Sequence, residues 1–84
     1  MTSSDEQSIV LDVRPFHERG EEPFDAIMAA VAGLPPDRSL LLINSFEPVP
    51  LFRVMESRGF EHACTQVGPE EYHVRFTRKD DVRA

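Results

Sequence analysis

One thiol, three imidazoles and two carboxylates set before prolines are the side chains of this chain whose chemistry could go beyond packing: Cys64, His17, His62, His73, Glu22 and Glu47. A cysteine reacts as the thiolate, which a helix N-terminus or a nearby cation favours. Cys64 lies in the middle of a strand-like run, and Arg75 on the following run is the nearest candidate cation. An inert small residue on a sheet surface is the simpler expectation. His62 and His73 could share the open face of a hairpin with Cys64 between them. A metal needs its ligands converging within about 2.0–2.3 Å of one point. The register that sets Val67 against Tyr72 puts His73 opposite Gln66 and His62 opposite Thr77. The two rings are then four to five residues apart at about 3.3 Å each, too far to share an ion. His17, beside Glu18, Arg19 and Glu21, reads as a solvated loop residue.

Glu22 and Glu47 could act as an acid and base if their pKa values were split. Both are more simply charge matched to the positive end of a helix. No Ser-His-Asp spacing, glycine-rich phosphate loop or CxxC motif occurs. The expectation is therefore no catalytic residue, no bound metal and no cofactor.

The elements that position these residues follow from periodicity and punctuation. Residues 9–14 alternate as a strand, with Ile9, Leu11 and Val13 on one face and Val10, Asp12 and Arg14 on the other. Residues 15–21 read as a loop. Pro23 then opens a helix, where its missing N–H has no helical partner to lose. Phe24, Ile27, Met28, Val31 and Leu34 form its apolar stripe, and Pro35-Pro36 ends it. Leu40, Leu41, Leu42 and Ile43 make a strand covered on one side and paired on both edges. Because a residue before proline avoids the helical region, Pro48-Val49-Pro50 reads as extended, with a second helix starting near Pro50. Leu51, Phe52 and Met55 line its buried side, and Gly59 fits the left-handed position after it, with Phe60 folding back. Residues 61–67 and 72–77 form a hairpin about Gly68-Pro69-Glu70-Glu71. Its expected inward face is Ala63, Thr65, Val67, Tyr72, Val74 and Phe76; His62, Cys64, Gln66, His73, Arg75 and Thr77 are expected to point outward. The order β-α-β-α-β-β, with two helices over one face of four strands, is an α+β fold, a two-layer α/β sandwich. Residues 1–8 and 79–84 read as tails around a single domain at 9–78.

With 84 residues and a net charge of −6, this is a small acidic domain. A chain of this size buries about 60–65% of its unfolded surface, so a deep enclosed cavity is not expected. Nucleic-acid binding needs a basic patch. The only concentration, Arg75, Arg78 and Lys79, is followed by Asp80 and Asp81. An anionic membrane surface is disfavoured for the same reason. No apolar run reaches the roughly 20 residues of a membrane span. The polar N-terminus is not a signal peptide, and a lone cysteine cannot close an internal disulfide. A cytoplasmic monomer or weak dimer is expected.

Several stretches in this order resemble a family of small domains of unknown function, DUF2249, similar to the TusA/SirA sulfur-carrier fold. They are Leu11-Asp12-Val13-Arg14, Glu22-Pro23-Phe24, the block from Phe46 to Phe52, Arg58-Gly59-Phe60, and the block from Gly68 to Arg75. The resemblance implies a sheet ordered 1-2-4-3 with the last strand antiparallel to its neighbours, and it brings no reaction. TusA-like carriers hold a persulfide on the cysteine of a Cys-Pro-x-Pro motif opening the first helix. Here Glu22-Pro23 stands at that place, and a carboxylate cannot hold a persulfide. Relatives with Asp-His-Asp-Pro after the second strand are matched here by Ser45-Phe46-Glu47-Pro48, so no role of that histidine carries over.

The leading expectation is a non-catalytic binding or accessory module for an unidentified protein or small ligand. It would present either the open sheet face (Asp12, Arg14, His62, Cys64, His73, Arg75) or the helix-opening edge (Glu22, Pro23, Phe46, Glu47, Pro48, Pro50). A redox or sulfur-handling role through Cys64, and a metal- or haem-linked module, are the alternatives.

Overall fold

A computed structural model describes residues 8–79. The chain runs β1 (Ser8–Asp12), α1 (Arg14–Glu18), α2 (Phe24–Ala32), β2 (Ser39–Asn44), α3 (Val49–Ser57), β3 (Phe60–Gly68) and β4 (Glu71–Arg78). One sheet is ordered β1-β2-β4-β3. β1 pairs parallel to β2, and β4 lies antiparallel to both β2 and β3. This is the expected topology with one helix added. Ser8, placed in the N-terminal tail by its polar context, begins β1. The rest of both expected tails, residues 1–7 and 80–84, lies outside the described residues.

The sheet buries one face. On the central strands Leu40, Leu42, Val74 and Phe76 have no exposed surface, while Leu41 and Ile43 on the opposite face are half-buried. An antiparallel or mixed sheet covered on one side shows this alternation. Ile27 and Leu34 from the α2 segment and Leu51 and Met55 from α3 close the core against it. Met28 and Val31 pack at its margin, whereas Phe24, the first residue of the expected α2 stripe, remains exposed.

Three local expectations need correction. Residues 15–21 are not simply a loop, because α1 begins there. Pro15 falls in its first turn, and Phe16 packs against the core. The proline that looked like loop punctuation is a helix-opening residue. α3 likewise starts at Val49, not Pro50. Pro48 has φ −86° and ψ 67°, and the Val49 amide donates to the Glu47 carbonyl at 2.9 Å. That is an inverse γ-turn, which turns the chain into the helix in one residue and overrides the extended bias before proline.

The third correction is the hairpin. Gln66 pairs with Tyr72 but Gly68 pairs with Glu71, so Val67 is an extra residue in a bulge. Pairing upstream becomes Cys64 with Val74 and His62 with Phe76. A one-residue slip exchanges the faces of the whole strand. Phe60, His62, Cys64 and Gln66 therefore share the helix-covered side, and Ala63 and Thr65 look outward. We expect Cys64→Asp to cost at least about 1 kcal/mol by setting a charge against apolar neighbours. Thr65→Asp should stay within about 0.5 kcal/mol. Equal urea midpoints for the two variants would restore the simpler register.

Gly59 joins α3 to β3 at φ 89°, and a Cβ there would meet nothing within 4 Å. The cost of Gly59→Ala is thus backbone strain alone, about 1–2 kcal/mol. Gly33 ends α2 at φ −94°, where alanine fits without that strain. Thermal unfolding should show a drop for Gly59→Ala and none for Gly33→Ala.

Candidate functional site

β1 and β2 run parallel, so their C-terminal ends lie side by side, and the chain leaves both toward helices. Between these strand ends and the openings of α2 and α3 lies a cleft of about 240 Å³. Val13, Leu42, Ile27, Leu51 and Val54 form its apolar walls. Glu22, Pro23 and Phe24 border it at the lead-in to α2, and Phe46, Pro48 and Pro50 at the lead-in to α3. The structure thus joins Glu22, Pro23, Phe46, Pro48 and Pro50 of the expected helix-opening edge into one concavity. Glu47 does not line it.

Besides Glu22, two polar side chains enter this apolar setting: Asn44, which the sequence reading did not single out, and His17, which it placed in a solvated loop. Asn44 ends β2 and is only 3% exposed. Its Nδ2 donates to the Phe46 carbonyl at 3.0 Å, and its Oδ1 lies 2.7 Å from Nε2 of His17. The His17 ring also packs on Phe46, with centroids 5.0 Å apart. Far from being solvated, His17 is half-buried and tied to the cleft, because α1 carries it over the end of the sheet. Pro15 as a helix opener, and an asparagine closing an apolar strand just before a turn, were the signals available.

Residues 48–51, at the opening of α3, leave no N–H for an anion. Pro48 and Pro50 lack an N–H, the Val49 amide serves the Glu47 carbonyl, and the Leu51 amide donates to the Pro48 carbonyl at 3.0 Å. Phosphate sites at helix N-termini depend on these groups.

A second concavity of about 550 Å³ lies on the other side of His17, lined by Asp12, Arg14, Glu18, Ser45, Glu70 and Glu71 among others. Its polar wall is a chain of ion pairs. Arg14 grips the Asp12 carboxylate with Nε at 3.0 Å and Nη2 at 2.8 Å, and reaches Glu71 at 3.4 Å. Glu71 in turn meets His73 Nε2 at 2.7 Å. The Arg14 hydrogen bonds hold the Asp12 carboxyl below its ordinary value of 3.8, against the opposing effect of burial. A carboxylate so lowered stabilises the fold above its unfolded pKa, and that contribution disappears as pH falls through the folded value. Asp12→Asn should therefore differ from the parent protein in urea midpoint at neutral pH and converge with it as pH falls through the lowered Asp12 value. The difference is small, since both side chains are about one-third exposed and screened by solvent. A gap that widened on acidification would contradict the pairing.

The expected open face is thus only partly assembled. Asp12, His73 and Arg75 lie on it, with Arg14 at its edge. Arg75 is engaged with the Ser8 and Ser39 hydroxyls across β2 and cannot be the cation beside Cys64. His62 is on the opposite side, stacked on Phe52 with centroids 3.8 Å apart and planes 10° apart. Thr65, not Gln66, faces His73, and Phe76, not Thr77, faces His62. Cys64 packs against the core margin, and burial together with the nearby Glu47 charge pushes its thiol up. Among the described residues, no three of His, Cys, Asp and Glu converge as a metal site. No described helix is long and apolar enough to cross a membrane.

A family profile described as an uncharacterized conserved protein, DUF2249, matches residues 10–78. The chain belongs to the DUF2249 family. No curated protein and no solved structure matches it. The DUF2249 match takes in all three helices and nearly the whole sheet, and so every residue that lines the cleft.

Proposed function

We propose that this DUF2249 domain is a non-catalytic binding or accessory module, and that its ligand site is the cleft between the openings of α2 and α3. The observation that carries the reading is the pairing of buried Asn44 with half-buried His17 in a largely apolar concavity. Small-molecule sites have this composition, with apolar walls and a few placed polar groups. In sheets with parallel strands, ligands gather beyond the carboxyl ends of those strands. The fold belongs, on this reading, with TusA/SirA-like domains that have lost the carrier cysteine. Glu22 at the rim offers no sulfur nucleophile, and the module works in the cytoplasm. Cys64 supports the sulfur-handling alternative poorly, because its surroundings favour the protonated thiol.

The test is an amide-shift titration with toluene as a neutral probe of the cleft. Shifts at Val13, Ile27, Leu51 and Val54 that disappear in Val54→Trp are expected. Shifts confined to the outward face of the sheet, or turnover that dies in Glu22→Gln or Glu47→Gln, would overturn the reading.

A further inference from the structure

The orientation of one amide decides what the cleft can offer a ligand. The Phe46 carbonyl can only accept, so the Asn44 atom 3.0 Å from it is Nδ2, and Oδ1 faces His17. An amide oxygen also only accepts, so the proton of a neutral His17 sits on Nε2, 2.7 Å away. The ring lone pair is then on Nδ1, which has no hydrogen-bond partner among the described residues. Asn44 fixes the tautomer much as an outer partner orients a metal-bound or catalytic histidine.

We propose that Nδ1 of His17 is the anchoring acceptor of the cleft, and that its ligand class is a small, uncharged, largely apolar molecule carrying one N–H or O–H donor. This rests on the cleft being the binding site. Size and walls set the class: about 240 Å³ bounded by Val13, Leu42 and Leu51 suits a body about the size of one aromatic ring. An anion finds no free N–H among residues 48–51 at the opening of α3, and at the opening of α2 it meets the carboxylates of Glu22 and Asp25. A charge of either sign would lose hydration against the apolar walls. A donor, by contrast, meets on a cleft-lining ring a nitrogen that no described residue already occupies.

Phenol and toluene share a shape and differ in that donor. Both are titrated against the parent protein, His17→Phe and His17→Gln, following the same amide shifts. His17→Phe is expected to lower the phenol-to-toluene affinity ratio at least about fivefold, the size of one neutral hydrogen bond. His17→Gln, whose side chain can donate to Asn44 and still present an oxygen, is expected to restore part of it. The long-range imidazole spectrum of the parent protein should show the Nε2–H tautomer. Toluene and phenol both binding in the cleft with a ratio indifferent to His17→Phe would overturn the anchoring role and leave the cleft reading standing. Failure of both probes to shift the cleft residues of the parent protein would overturn both. An Nδ1–H tautomer overturns the anchor whatever the variants do.

Discussion

Phe76→Ala is expected to remove about 3–5 kcal/mol of stability, the usual cost of truncating a buried aromatic. Phe76 is fully buried in β4, paired with Leu40 of β2 on one side and His62 of β3 on the other. Its ring meets Phe52 of α3 edge-on, with centroids 6.4 Å apart. It thus touches the two central strands, the edge strand and the helix layer at once. The cavity it leaves cannot close without moving an element that carries other core residues. Total stability in small domains is about 0.05–0.15 kcal/mol per residue, so this one change removes a large part of it. Urea denaturation checks it. A loss below about 1 kcal/mol would mean that the β4 face has been assigned to the wrong side.

Asn44→Leu carries the second large effect. The substitution keeps the branching of the side chain but leaves the Phe46 carbonyl and His17 Nε2 without the partners they have at 3.0 and 2.7 Å. Both bonds are part-buried, so the cost falls toward the lower end of the range of about 1–3 kcal/mol for an unpaired buried polar group. The same change should release the His17 ring from its single tautomer, visible as mixed Nδ1–H and Nε2–H populations in the imidazole spectrum. A stable variant with an unchanged tautomer would show that Asn44 neither supports the cleft nor orients the ring.

The layer order was legible because it depends on patterns with strong physical causes. Four consecutive aliphatics at 40–43 demanded a central strand, the stripe from Phe24 to Leu34 a helix, and Gly59 a left-handed stop. The faces of β4 were legible, but those of β3 were not, because a bulge at Val67 leaves no mark in a run of alternating small and polar residues. That single extra residue moved Cys64 and His62 to the opposite side and dissolved the expected Cys64–Arg75 proximity. The α3 start was misplaced by one residue because an inverse γ-turn at Pro48 does what the pre-proline bias alone disfavours. Five of the six residues named on the helix-opening edge border the cleft, because proline placement marks where the helices open. Its polar heart was missed, since nothing between His17 and Asn44 in sequence announces a contact that only the strand ends and α1 create. Glu71, counted as a turn residue, proved to be the bridge between Arg14 and His73 for the same reason.

The most direct measurement is the set of proton–proton NOEs between bound phenol and the methyl groups of the domain. Contacts to Val13, Ile27, Leu51 and Val54 are the predicted result, since these line the cleft. Contacts instead to Leu41, Ile43 or Ala63, on the uncovered face of the sheet, would contradict the cleft as the binding site.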